Sequence, residues 1–125
     1  VRVASGILGV TAASMKRAVD NGCGGVTVKS YSKSPRIGHP NPTMIGTEHY
    51  FLNAVGLSNP GVDEGVNILK EFKQISKAPL IGSIFASTAD EFAEVAEKIS
   101  EAPSVKQPGI AALVPACHSP RLNKT

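Results

Sequence analysis

Three segments of the chain place apolar residues at helical spacing. The first runs from Ala12 to Asn21, after a Thr11 suited to cap its amino end, and Gly22 follows where a left-handed carboxyl cap is expected. The second runs from Val62 to Ser76, and the third opens with the capping-box pattern Thr88-Ala89-Asp90-Glu91. The residues predicted to face the core are Met15, Ala18 and Val19 in the first helix, Val66, Leu69, Phe72 and Ile75 in the second, and Phe92, Val95, Ala96 and Ile99 in the third.

A short apolar run without helical spacing precedes each of these helices and is predicted to be a strand. The three runs are Val1–Ala4, Gly25–Val28, which is predicted to be buried, and Ala78–Ile84. Strands that alternate with helices form parallel sheets, because each helix carries the chain back to the same end of the sheet. The sequence therefore predicts an α/β fold with parallel strands.

Residues 30–61 show no sustained periodicity, because prolines and glycines interrupt them repeatedly. A loop of this length inside a compact domain is usually either functional or disordered. The aromatic residues in it favour order, and a small hairpin around Met44 to Leu52 is expected to organise it.

The composition is that of a globular protein. The 125 residues are 42% hydrophobic and 18% charged, which suits one domain with its own core. The net charge is +3 with scattered basic residues, so nucleic-acid binding is not expected. Cys23 and Cys117 lack the spacing of a metal site or a disulfide framework, and no apolar run reaches membrane-spanning length. We therefore expect a cytoplasmic protein with no metal site and no membrane partner.

Candidate ligand-binding residues follow the predicted strands. Ser5-Gly6 comes after the first strand, Lys29-Ser30 after the second, and Ser83 lies at the end of the third. Because the carboxyl ends of parallel strands share one edge, these residues are expected on the face where α/β folds bind ligands. A lone lysine after a strand is also commonly a solvated strand end, and that alternative stays open.

The segment Asn53–Gly61 suggests a ligand of a particular kind. Its carboxamides offer a donor and an acceptor together, and its glycines let backbone N–H groups approach an anion closely. This chemistry fits a small planar anionic ligand. An ordinary turn-rich connector has a similar composition, so the composition alone leaves both interpretations open.

Four motifs in this order resemble the FMN-dependent dihydroorotate dehydrogenases of class 1. They are Ala4-Ser5-Gly6, Val28-Lys29-Ser30, Ser34-Pro35-Arg36-Ile37-Gly38-His39-Pro40-Asn41-Pro42 and Asn53-Ala54-Val55-Gly56-Leu57-Ser58-Asn59-Pro60-Gly61. The agreement in order and spacing gives a family-like part over residues 1–102 and a tail over residues 103–125 that does not resemble the family. The resemblance implies the amino-terminal part of a (β/α)8 TIM barrel, incomplete here, with FMN at the mouth of its parallel strands.

The resemblance also implies a reaction and a set of site residues. The family oxidises dihydroorotate to orotate in pyrimidine (UMP) biosynthesis, and its members act as homo-oligomers or with an iron–sulfur electron-transfer subunit. By the family pattern, the flavin-contacting residues are Ser5, Gly6, Lys29, Ser30 and Ser83, the last in a position where many relatives have an asparagine. The substrate-binding residues are Lys29, Asn53, Ala54, Val55, Gly56 and Leu57.

The chain departs from the family pattern in its last part. The family's catalytic base sits in a motif of the type Asn-x-Ser-Cys-Pro-Asn, which does not occur here, so no catalytic residue is assigned. Ile110 to Val114 has the composition of a strand, and Cys117-His118 places a thiol beside an imidazole, although adjacent residues rarely form a catalytic pair. Only about three of the eight βα units of a barrel are recognised. A related dihydropyrimidine-oxidising flavoenzyme and a non-catalytic truncated product therefore remain alternatives.

Overall fold

The structure, a computed structural model, describes residues 1–100 and 114–115. A 3-10 helix at Ile7–Gly9 precedes the first α-helix. The helices are α1 (Ala12–Asp20), α2 (Val62–Ile75) and α3 (Ala89–Ser100), and the strands are β1 (Val26–Thr27), β2 (Met44–Gly46), β3 (Phe51–Asn53), β4 (Leu80–Ile81), β5 (Ser83–Ile84) and β6 (Val114–Pro115).

The strand segments that alternate with helices are parallel, as the sequence predicts. In the first sheet, β1 pairs with β4 through Val26 and Leu80, and Val3 forms a parallel bridge to Val26. In the second, β5 pairs in parallel with β6, and Tyr31 forms a parallel bridge to Ile84. The fold class is therefore α/β with parallel strands. β6 reaches only the last residue of the strand expected at 110–114, and Cys117 and His118 lie outside the described residues.

The core lies where the helices cover these strands. Met15, Leu69, Phe72, Val95 and Ile99 are all buried in it, as predicted from helical spacing. Other predicted core residues are half-buried against it, namely Val19, Val66, Phe92 and Ala96.

The prediction for Ile75 is wrong, because its side chain is 45% exposed. A helix turns about 100° per residue, so a run of residues three apart drifts by about 60° at each step. Ile75 is the third step after Val66 and has therefore rotated away from the buried stripe. Val62 and Gly65 are buried, because each lies seven residues before Leu69 or Phe72 and therefore at nearly the same angle around the helix.

The predicted helix caps are present, with one difference in detail. The Thr11 side chain accepts a hydrogen bond from the backbone N–H of Ser14, and Gly22 has a φ of 90° after the end of α1. At α3 the Thr88 hydroxyl accepts from the N–H of Glu91 at 3.2 Å. The Glu91 carboxylate then accepts from the N–H of Ser87 at 3.0 Å, one residue before the partner that a capping box requires.

The expected hairpin is confirmed within the long loop. β2 and β3 are antiparallel, with Met44 opposite Asn53 and Gly46 opposite Phe51. All residues of both strands are exposed, so this hairpin stands out from the core and contributes little to it. Its base is closed by a 2.8 Å hydrogen bond from the N–H of Ala54 to the carbonyl oxygen of Thr43, and Ala54 opens the segment that leads back to the sheet.

Candidate functional site

Three serine hydroxyl groups meet beside the parallel strands, and one of them belongs to Ser83, the first residue of β5. The Oγ atom of Ser5 lies 3.3 Å from that of Ser30, and the Oγ of Ser30 lies 2.7 Å from that of Ser83. Ser5 is exposed, Ser30 is half-buried and Ser83 is buried. The structure therefore brings together three of the residues predicted from the sequence, as a chain of hydroxyl groups that leads from solvent into the protein.

Gly6 provides open backbone beside these hydroxyl groups. Its φ of 150° is a conformation that residues with a side chain rarely adopt. A Cβ atom built at this position would meet no other atom within 4 Å. A flat ligand therefore has room to lie directly against the backbone of Gly6.

Lys29 is held at the end of β1 by the 3-10 helix. Its backbone N–H donates a 2.8 Å hydrogen bond to the carbonyl oxygen of Gly9. A Cβ atom at Gly9 would lie 2.6 Å from the carbonyl oxygen of Thr27 and 2.9 Å from the nitrogen of Lys29, so only glycine fits this contact. The Lys29 side chain is half-buried, and within residues 1–100 no carboxylate forms a salt bridge with it.

A cavity of about 320 Å³ opens beside Lys29. It is lined by Ile7, Val10, Lys29, Arg36, Val55, Ser58, Asn59 and Pro60. Of the predicted site residues, Lys29 and Val55 line it. The other predicted residues are not part of its lining, namely Ser5, Gly6, Ser30, Ser83, Asn53, Ala54, Gly56 and Leu57. The candidate site thus has two neighbouring parts, the serine hydroxyl groups and the cavity, and Lys29 and Ser30 join them because they are consecutive.

The far wall of the cavity consists of two loops that pair with each other. Arg36 and Asn59 exchange both backbone hydrogen bonds, at 2.8 and 2.9 Å. The N–H of His39 donates to the carbonyl oxygen of Val55 at 3.1 Å, and its Nδ1 lies 2.8 Å from the carbonyl oxygen of Ala54. These contacts fix the segment around Val55 relative to the loop that carries Arg36.

Asn59 uses its buried carboxamide to shape the wall itself. Its Oδ1 accepts hydrogen bonds from the N–H groups of Ser32 and Gly61, at 3.2 and 2.9 Å. Its Nδ2 donates to the Leu57 carbonyl oxygen and to the Ser32 hydroxyl, both at 2.9 Å. The carboxamide of Asn59 therefore makes its hydrogen bonds within the protein and stabilises the two loops. Asn53, the other carboxamide of the segment, is exposed at the end of β3.

The turn between these two asparagines leaves backbone donors unused. Gly56 and Leu57 have φ values of 77° and 56°, and Leu57 adopts this conformation although it is not a glycine. The N–H groups of Val55, Gly56 and Leu57 donate to no atom of the described part of the chain. Strained backbone of this kind is often retained at binding sites, and adjacent free N–H groups suit an anion.

Arg36 is a charged residue of the cavity that the sequence pattern does not single out as a site residue. Its guanidinium group lies 5.3 Å from the centre of the Phe85 ring, and Phe85 is 5% exposed. The guanidinium group therefore makes a cation–π contact with the Phe85 ring, which helps to position the arginine. As with Lys29, no carboxylate within residues 1–100 forms a salt bridge with it. Arg36 occurs in one of the recognised motifs, but its pairing with Asn59 is a long-range contact that the sequence pattern does not show.

The described residues show neither a cluster of metal-ligating side chains nor a membrane-spanning helix. Residues 1–100 contain no group of three or more histidine, cysteine, aspartate or glutamate side chains placed to hold a metal ion. In the same part of the chain no helix has the length and apolar character needed to cross a bilayer.

Comparison with known proteins identifies the family. Residues 1–110 match the family described as dihydroorotate dehydrogenase. The chain is 49% identical over 96 residues to the dihydroorotate dehydrogenase B (NAD(+)), catalytic subunit, of Methanosarcina mazei, and 43% identical over 102 residues to the protein of the same name from Methanocaldococcus jannaschii. The chain belongs to the dihydroorotate dehydrogenase family.

These relatives are longer than the chain. The matches cover 76% and 79% of this chain but only 31% and 33% of the two relatives, and a relative from Pyrococcus abyssi with the same name gives 79% and 32%. The family match extends past Ala102, and the boundary expected at that residue stays a prediction.

Proposed function

We propose that this chain forms the part of a dihydroorotate dehydrogenase that contacts the flavin, FMN, and the anionic substrate, within a (β/α)8 barrel. The reaction is the oxidation of dihydroorotate to orotate in pyrimidine (UMP) biosynthesis, in the cytoplasm. The observation that supports it most is the cavity in which Lys29 and Arg36 both lie next to the segment with free backbone N–H groups.

The charges at this cavity favour an anionic ligand. Two cations line it, and no carboxylate within residues 1–100 forms a salt bridge with either of them. Lys29 is half-buried and Arg36 is exposed, and cations without a counter-ion give a positive potential that attracts a carboxylate. The planar guanidinium of Arg36 suits a carboxylate in geometry, and the N–H groups of Val55, Gly56 and Leu57 supply further donors.

The serine hydroxyl groups and Gly6 fit a flavin at the neighbouring part of the site. The hydroxyl groups provide hydrogen-bond partners for polar ring atoms, and the open space at Gly6 allows a flat ring to approach the backbone. A flavin bound there would supply the redox chemistry of hydride transfer from the substrate. Lys29, between the two parts, places positive charge where negative charge develops during that transfer.

The relatives' names support a second subunit and a nicotinamide acceptor. Each is called a catalytic subunit and carries NAD(+) in its name. We infer that the whole enzyme would include a second, iron–sulfur subunit, which would supply the electron transfer between a bound flavin and NAD(+). A homo-oligomer of the catalytic chain is compatible with the same arrangement.

The test compares orotate with uracil, which has a similar ring but no carboxylate. We expect orotate to shift the backbone amide signals of Val55, Gly56 and Leu57 in 15N-correlated NMR spectra, and to bind about 10-fold or more tightly than uracil, because charge-assisted hydrogen bonds form only with the carboxylate. Lys29→Ala and Arg36→Gln should each remove most of this preference. Lys70→Ala, which removes an exposed cation from α2, is the matched control. Equal affinities for orotate and uracil in the unaltered chain would contradict the proposal.

A further inference from the structure

Ser83 has a hydroxyl group that is buried and has a single hydrogen-bond partner. Its side chain belongs to β5, the residue is 3% exposed, and its Oγ lies 2.7 Å from the Oγ of Ser30. Within residues 1–100 no other atom lies within hydrogen-bonding distance of this hydroxyl. Because a buried hydroxyl proton without an acceptor is costly, the proton of Ser83 is directed at Ser30.

The hydrogen bond from Ser83 determines the direction in which the Ser30 hydroxyl can donate. Since Ser30 Oγ accepts a hydrogen bond from Ser83, its own proton must point elsewhere. The other partner of Ser30 is the exposed hydroxyl of Ser5, at 3.3 Å. That distance is longer than the usual 2.5–3.0 Å of a hydroxyl–hydroxyl hydrogen bond. The Ser30 hydroxyl proton therefore points toward Ser5 and the solvent, where it makes only a weak hydrogen bond.

We propose that Ser83 is a positioning residue. It orients the Ser30 hydroxyl so that this group donates a hydrogen bond outward, to an acceptor atom of a ligand bound beside the three serines. A ring carbonyl oxygen or a ring nitrogen of a flavin is an acceptor of the right kind. The identity of that ligand rests on the proposed function, whereas the orientation of Ser30 is a property of the chain itself.

The proposal changes the role that the family resemblance implies for Ser83. A residue that is 3% exposed and bonded to Ser30 does not reach a ligand directly, so it acts through Ser30. Accepting a short hydrogen bond also makes a hydroxyl a better donor, because successive hydrogen bonds polarise one another. Ser83 therefore both aims the Ser30 proton and strengthens the bond that it makes.

The orientation is tested on the chain without ligand. Hα–Hβ coupling constants from NMR report the χ1 rotamer of Ser30. We expect a single staggered rotamer in the unaltered chain and averaged couplings in Ser83→Ala. Ser83→Cys, which fills the same space with a weak donor, should give intermediate averaging and serves if Ser83→Ala does not fold. Ser87→Ala, at an exposed serine three residues after β5, is the control and should leave Ser30 unchanged. A Ser30 that keeps one rotamer in both Ser83 variants, or that is already averaged in the unaltered chain, would overturn the proposal.

The effect on the ligand is tested by titrating the chain with FMN and following flavin fluorescence. Ser83→Ala and Ser30→Ala should each weaken FMN binding about 3- to 10-fold, the usual effect of one hydrogen bond. The double variant should lose no more than Ser30→Ala alone, since Ser83 acts only through Ser30. Independent losses that multiply would overturn the proposal. If the unaltered chain does not bind FMN, the flavin part of the proposed function fails, while the Ser30 couplings still decide this inference.

Discussion

The backbone N–H of Lys29 donates a 2.8 Å hydrogen bond to the carbonyl oxygen of Gly9. This bond joins the 3-10 helix at Ile7–Gly9 to Lys29, the second residue after β1. It therefore ties the position of the candidate site's lysine to a glycine far from it in sequence. Because a Cβ at Gly9 would overlap the backbone of residues 27–29, packing of the fold and placement of the site depend on the same contact.

Replacing Gly9 with alanine should therefore lower the stability of the fold and also displace Lys29. We expect Gly9→Ala to lower the free energy of unfolding by about 1–3 kcal/mol, the usual cost of overpacking a close contact. It should also shift the amide signal of Lys29. Urea unfolding followed by circular dichroism measures the first effect and NMR the second. Gly24→Ala is the matched control, since its Cβ would lie an ordinary 3.5 Å from the carbonyl oxygen of Val1. Equal losses in the two variants would contradict the close-contact argument.

Asn59 should be among the most sensitive polar residues of the chain. Removing its carboxamide in Asn59→Ala leaves the N–H groups of Ser32 and Gly61 without their acceptor. We expect a loss of about 2–4 kcal/mol in the free energy of unfolding, because unsatisfied buried donors are costly. Asn67→Ala, which removes one exposed 3.2 Å contact to Glu64, should cost little. Urea unfolding of both variants is the measurement, and similar losses would show that the buried network does not stabilise the fold.

Tyr31 should make the protein less stable at high pH. Its hydroxyl is buried without a partner in the described part of the chain, and burial, followed by the charge of Glu64, raises its pKa from 10.0 to about 12. Between pH 10 and pH 12 the unfolded chain releases this proton while the folded chain keeps it. The free energy of unfolding should therefore be unaffected by Tyr31 below pH 10 and fall by about 3 kcal/mol toward pH 12.

The Tyr31→Phe variant isolates this contribution from other groups that titrate at high pH. Its free energy of unfolding should equal or exceed that of the unaltered chain at pH 7, since a partnerless hydroxyl is removed. It should also fall less steeply above pH 10. Urea unfolding at pH 7, 10 and 11 gives the comparison, and Tyr50→Phe, at an exposed tyrosine, is the control. The same pH dependence in Tyr31→Phe and the unaltered chain would rule out a titrating Tyr31.

The elements of the fold could be predicted from the sequence because each has a local signal. The spacing of Leu69 and Phe72 marks the buried face of α2, and Thr11 marks the start of α1. The error at Ile75 arose because spacing by three residues was followed for too long. A spacing of three residues predicts the inward face over a few turns. Over longer stretches it fails, because each step of three residues rotates the position by about 60° around the helix.

The candidate site was predictable only in part, for a different reason. Residues directly after strands, such as Ser5 and Ser30, were found because parallel strands end at the same edge. Arg36 was missed because its position depends on pairing with Asn59, a contact between distant segments. The contact between Ser83 and Ser30 could not be predicted either, since it joins two segments that are distant in the sequence.

The 125-residue polypeptide, supplied with excess FMN, should not oxidise dihydroorotate faster than free flavin does. The sequence lacks the family's Asn-x-Ser-Cys-Pro-Asn motif, and loss of a general base alone costs about 10²–10⁴-fold in rate. A closed barrel that excludes water takes about 250 residues, so this chain does not form one by itself. Orotate formation measured by absorbance, with a dye as electron acceptor, tests the prediction, and Lys29→Ala is the control. Turnover above the free-flavin background that disappears in Lys29→Ala would contradict it and would show that another group, such as Cys117, serves as the base.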